Sequence, residues 1–127
     1  MTDKIKVVLV EPNKKAVVTE IESTLGGMQE VVGGLIEAIY PFDDNVALIC
    51  NEEGKIMSLP ANRAIRMEGE KEIFDIIAGT FFIAGFEGEH FISLTKPQIE
   101  KYWNKFLYPE KFMAINGQIK AFKYEVF

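Results

Sequence analysis

Nine residues, Ile76-Ile-Ala-Gly-Thr-Phe-Phe-Ile-Ala84, form a long apolar run interrupted by Gly79. A segment apolar at successive positions, not at alternate ones, reads as a strand covered on both faces. It is far shorter than the ~20 residues a membrane helix needs, and no other stretch comes closer. The run is therefore expected to be one buried core strand. Other strands read around it. Ile5–Val10 closes on Glu11-Pro12-Asn13, and Ala16–Ile21 returns as its hairpin partner. Leu35–Tyr40, a loop over Pro41–Asn45 and the apolar Val46–Cys50 follow. Asn51-Glu-Glu-Gly54 predicts a turn with Gly54 free to take positive φ, and Lys55–Leu59 a return strand ended by Pro60. Asn62–Arg66 reads as irregular, Glu68–Asp75 as solvated and Phe91–Leu94 as a short strand. Asn116-Gly117 between Phe112–Ile115 and Gln118–Phe122 is a hairpin signal, because both turn positions want positive φ.

Two helices interrupt this pattern. Leu25, Met28 and Val32 lie on one stripe after Ser23-Thr24, whose hydroxyls can cap a helix start, and Gly33-Gly34 supplies a left-handed stop. Gly26 and Gly27 each cost up to ~1 kcal/mol there, so packing must hold the element, or Gly27 serves close backbone approach. Thr95-Lys-Pro-Gln98 matches a capping box, and Ile99, Tyr102, Trp103 and Phe106 form the apolar face of a helix to Leu107. The expected fold class is α+β: a mostly antiparallel sheet, a short glycine-rich helix, one amphipathic helix and a C-terminal β-hairpin. With 127 residues, 48% of them hydrophobic, a single domain over 1–127 is expected.

The net charge of −5 argues against gripping a nucleic-acid backbone, which usually takes the opposite balance. The single cysteine, Cys50, cannot form an internal disulfide and sits in an apolar run, which fits a buried thiol and a cytoplasmic location. The N-terminus shows no apolar h-region of a secretory signal.

Four segments, Val32-Gly-Gly-Leu-Ile-Glu-Ala38, Asn51-Glu-Glu-Gly-Lys55, Leu59-Pro-Ala-Asn-Arg-Ala64 and Ile77-Ala-Gly-Thr-Phe-Phe-Ile83, together resemble a bacterial family known as domain of unknown function 3846. The resemblance implies a compact α+β domain and a phage or mobile-element context, host cytoplasm included, and it implies no established activity or catalytic residue. It marks 1–94 as the family-like core and 95–127 as an addition.

Chemistry is sparsely represented. One histidine, His90, and one cysteine make a poor nucleophile–base pair, and they lack the further ligands a zinc site takes. Gly26-Gly27 and Gly33-Gly34 do not follow phosphate-loop or dinucleotide spacing. No catalytic residue, metal or cofactor is expected, although His90 or the Glu52-Glu53 pair would be the residues to replace in testing for an enzyme. The richer constellation is Asn51-Glu52-Glu53 with Asn62-Arg63 and Arg66. Its carboxylates can accept from ribose or base N–H groups, and its arginines can hold phosphate. Gly33 and Gly34 could add backbone N–H groups as an anion nest. The same residues also suit a solvated turn and an arginine tying down a loop. The expected function is a non-catalytic binding protein that sequesters a nucleotide-type signal or other small ligand in counter-defence. The alternative is an acidic domain that docks and inhibits a host protein handling nucleic acid. The edge-like Phe122–Phe127 segment leaves a homo-oligomer open.

Overall fold

The computed structural model describes residues 3–126. Ten strands and two helices run in the order β1 (Lys4–Val10), β2 (Val17–Glu22), α1 (Leu25–Val32), β3 (Ile36–Ile39), β4 (Val46–Asn51), β5 (Ala61–Ile65), β6 (Asp75–Ala78), β7 (Phe81–Glu87), β8 (His90–Ile92), α2 (Lys96–Phe106), β9 (Glu110–Ile115) and β10 (Gln118–Lys123). The fold is α+β with antiparallel pairing throughout. Six strands make the main sheet in the order β2-β1-β7-β4-β3, with β8 pairing β7, while β5–β6 and β9–β10 form separate two-stranded ribbons.

The three central strands are apolar because both faces of the sheet are covered. Val8 and Val10 of β1, Val46, Leu48 and Cys50 of β4, and Phe81 and Ile83 of β7 point to one side, where Tyr102 and Phe106 of α2 pack with Phe42, Ile65 and Ile77. The alternate residues Ile5, Val7, Ala47, Ile49, Phe82 and Ala84 point to the other side, against Met28 and Val32 of α1. Each fully buried large side chain contributes roughly 1.5–3 kcal/mol. Both helices are capped as their sequences require. Thr24 accepts from the Gly27 N–H and Gly33 closes α1 at φ 79°, while Thr95 and Gln98 complete the reciprocal box of α2. Gly27 is needed for close approach, since a Cβ there would stand 2.7 Å from the Glu22 Cβ. Asn116 and Gly117 take φ 51° and 78° at the β9–β10 turn.

Three expectations are corrected. Lys55–Leu59 is not a strand: Met57, Ser58 and Leu59 donate back to Glu53, Lys55 and Gly54, curling the chain into successive turns. The strand lies one step later, in Asn62–Ile65, which had read as irregular because its polar side chains are buried by hydrogen bonding instead of exposed. The run Ile76–Ala84 is two strands. Gly79 at φ 88° reverses the chain and donates to the Pro60 carbonyl, so β6 joins β5 while β7 enters the main sheet. The run is apolar throughout because both halves are buried, each against different neighbours.

Candidate functional site

Asn51 ends β4 with its side chain buried. Its amide donates to the Val32 carbonyl at the end of α1 (3.2 Å), and its Oδ1 accepts from the Glu53 N–H (2.8 Å). This ties the helix stop to the turn over residues 51–58. Gly34 is small for the same reason, since a Cβ there would meet the Asn51 amide nitrogen at 2.9 Å. The N–H groups of Gly33 and Gly34 both donate to the Gln29 carbonyl. They close the helix and are not left facing outward as an anion nest would require.

Gly54 is free to take positive φ but does not, and what requires a glycine there is different. It is absent from the left-handed glycines, and a Cβ there would lie 2.5 Å from the Ala78 carbonyl oxygen. The turn therefore lies directly on β6. Under it is a small cavity of about 110 Å³ lined by Glu37, Cys50, Asn51, Glu52 and Lys55, with β6 behind. Glu52 and Glu53 are exposed, and only Glu52 reaches the cavity wall.

Asn62 and Arg63 point the other way. The Asn62 amide bridges the carbonyls of Val10 and Gly79, both at 2.9 Å. Arg63 is completely buried. Its Nε donates to the Phe106 carbonyl, Nη1 to the carbonyl and Oδ1 of Asn62, and Nη2 to the carbonyls of Lys14 and Phe106. A guanidinium has five N–H donors, and these contacts occupy them all. Burial lowers its pKa to about 10, with the Glu110 carboxylate opposing that shift. An arginine so engaged joins α2 to the loop after β1 and has no donor left for a phosphate.

Arg66 is the arginine that reaches solvent. It lines a groove of about 910 Å³, with β6 and the loop before it on one wall and β10 on the other. The cations of the groove are Lys55, Arg66, Lys71 and Lys120, and its carboxylates are Glu72 and Asp75. Lys55 is paired with Asp75, so the remaining balance is three cations against Glu72. Arg66 Nε donates to the Lys71 carbonyl at 3.0 Å, and among the described residues its Nη groups have no acceptor. Ile73, Ile76, Ile119 and Ala121 supply apolar surface between the charges. The groove meets the small cavity at Lys55, Asp75 and Ile76. The structure thus gathers Asn51, Glu52 and Arg66 on adjoining surfaces, separates them from Asn62 and Arg63, and adds Lys71 and β10. The Asn116-Gly117 signal announced the hairpin, but nothing local in the sequence shows that β10 stands across from β6.

Cys50 and His90 stand on different strands, Cys50 beside Glu37 and His90 exposed opposite Glu87. Burial, with a further contribution from the Glu37 carboxylate, pushes the Cys50 thiol from about 9 up to about 12. A thiol so protonated is a poor nucleophile. Its raised pKa stabilises the fold fully below pH ~9, and that contribution is lost as pH rises through ~12. Near neutral pH, a disulfide reagent such as DTNB is expected to label Cys50 only as fast as the protein opens. Complete labelling of native protein within the mixing time would contradict this burial. Among the described residues no three His, Cys, Asp or Glu side chains converge as a metal site, and no helix is long and apolar enough to cross a membrane.

The family model described as Domain of unknown function (DUF3846) matches residues 5–107. The chain belongs to this family. No curated protein matches the chain, and no solved structure matches it. The DUF3846 match takes in the main sheet, the β5–β6 ribbon and α2, and it stops before β9. One wall of the groove therefore belongs to the DUF3846 domain and the other to the hairpin that follows it.

Proposed function

We propose that the chain is a non-catalytic binding protein that sequesters a nucleotide-like small anion, and that it serves a phage or mobile element by withdrawing such a signal from the host. The observation that carries this reading is the groove between β6 and β10, where three cations outnumber one unpaired carboxylate around apolar surface. A nucleotide has the matching parts. Its phosphate suits the free Nη groups of Arg66 with Lys71 and Lys120, its ring suits Ile73, Ile76 and Ile119, and its ribose hydroxyls or base N–H groups suit Glu72. An open groove of this kind also admits linear and cyclic nucleotides alike.

Isothermal titration of the full chain with linear and cyclic nucleotides tests this. Binding is expected for at least one class, weakening with added salt. Arg66→Ala and Lys71→Ala should each lower affinity about tenfold, the loss of one charge-assisted contact. Asn51→Ala, which removes the ties of its side chain to Val32 and Glu53, should act on stability more than on affinity. Absence of heat with every nucleotide at high protein concentration would remove the proposal.

A further inference from the structure

The hairpin carries a second surface, which shares Lys120 and Gln118 with the rim of the groove. Its register places Lys111 opposite Phe122, Met113 opposite Lys120 and Ile115 opposite Gln118. Residues directly opposite share a face of the ribbon, and diagonal neighbours lie within side-chain reach. Phe122, Met113 and Ile115 therefore form one continuous apolar stripe, with Lys111 and Lys120 beside it. All five are exposed, Phe122 at 46%. On the opposite face Glu110, Phe112 and Ala121 are half-buried against the body, while Ala114, Ile119 and Lys123 are exposed. A two-stranded ribbon with one apolar face in water is marginally stable and is a ready docking element.

A surface of inverse character lies elsewhere on the molecule. A cleft of about 670 Å³ between the Pro41–Asp43 loop and residues 67–74 is lined by Tyr40, Met67 and Phe74, with Asp43, Glu68 and Glu70 around them. Phe74 is 59% exposed. Glu68 is paired with Lys101, and among the described residues Asp43 and Glu70 have no cationic partner. Lys111 and Lys120 likewise make no ion pair there.

We propose that the occupant of this cleft is the hairpin of a second copy of the chain. Phe122 and Met113 would pack on Tyr40, Met67 and Phe74 of the other copy, with Lys111 and Lys120 against its Asp43 and Glu70. Each side presents apolar surface of the kind the other lacks cover for, and the rims carry opposite charge. Exchange in both directions closes a two-fold dimer. Both copies carry a net −5, so attraction must come from these local charges and not from the molecules as wholes. This inference shares Lys120 with the nucleotide reading, but it rests on Phe122, Met113 and Phe74, which do not line the groove, and it is read by mass, not by ligand affinity.

Sedimentation or light scattering of the full chain over a concentration series is the test. The weight-average mass should rise from 14.4 kDa toward twice that value. Phe122→Glu in the hairpin and Phe74→Glu in the cleft, both exposed in the monomer, should each weaken association more than about tenfold while circular dichroism is unchanged. The charge-reversed copies K111E/K120E and D43K/E70K should each stay monomeric alone and associate when mixed. A monomer at every concentration, association that these substitutions do not touch, a mixture that stays monomeric, or a cleft that takes up only a foreign protein would each overturn the proposal.

Discussion

Arg63→Met is expected to lower the unfolding free energy by about 3–5 kcal/mol, the largest loss for any single polar side chain in the fold. Methionine keeps much of the aliphatic stem, so packing is only partly lost. What disappears is the donor set. The Phe106 carbonyl and the Oδ1 of Asn62 would be left buried without their partner, and the part-buried Lys14 carbonyl would lose its donor. Replacing a buried charge by an apolar group can be neutral when its partner is replaced too. Here most partners are backbone carbonyls, which no substitution removes. The cost of burying the charge itself is present at every pH below about 10, where the guanidinium stays protonated. Urea unfolding followed by tryptophan fluorescence reads the effect conveniently, since Trp103 on α2 donates to the Ala16 carbonyl beside the same loop. A loss below about 1 kcal/mol would mean that water or a shifted backbone satisfies these acceptors. Arg63→Lys should recover only part of the stability, because three rotatable donors cannot reproduce the fork.

Gly54→Ala is the second large expectation, at about 2–3 kcal/mol. The added methyl would meet the Ala78 carbonyl oxygen at 2.5 Å and its carbon at 3.3 Å. Neither atom is the tip of a flexible side chain, so the turn or β6 must move. The displacement should lift residues 51–58 from the ribbon and open the small cavity beside Cys50. DTNB labelling of native Gly54→Ala is then expected to run faster than its global stability alone allows, while Arg63→Met labels in proportion to unfolding. Equal ratios of labelling to stability in the two variants would show that the turn and β6 do not separate locally.

Much of the architecture was legible from local patterns. The capping box at Thr95, the left-handed Gly33 and the Asn116-Gly117 turn depend on residues close in sequence, so their chemistry is visible there. The β1–β2 hairpin was legible for the same reason. The errors share one cause. Asn62 and Arg63 look like loop residues until their carbonyl partners arrive from positions 10, 14, 79 and 106. Gly79 looks like a blemish in one strand until β5 and the main sheet compete for its two halves. The candidate site was legible only in part. Asn51, Glu52 and Arg66 were marked by residue type, whereas Lys71, Gln118 and Lys120 matter only because β10 stands across from β6.

Amino-acid order alone settled the helix ends, the Asn116-Gly117 turn, the β1–β2 hairpin and the family, since each depends on neighbours a few residues apart or on a pattern carried along the chain. Tertiary structure alone decided which arginine is free. Arg63 and Arg66 are three residues apart and chemically identical, yet one faces inward on β5 toward carbonyls that need its protons and the other leaves the strand end into an open groove. The difference is desolvation: a guanidinium surrounded by fixed acceptors becomes part of the scaffold, and one left with water can exchange that water for a ligand.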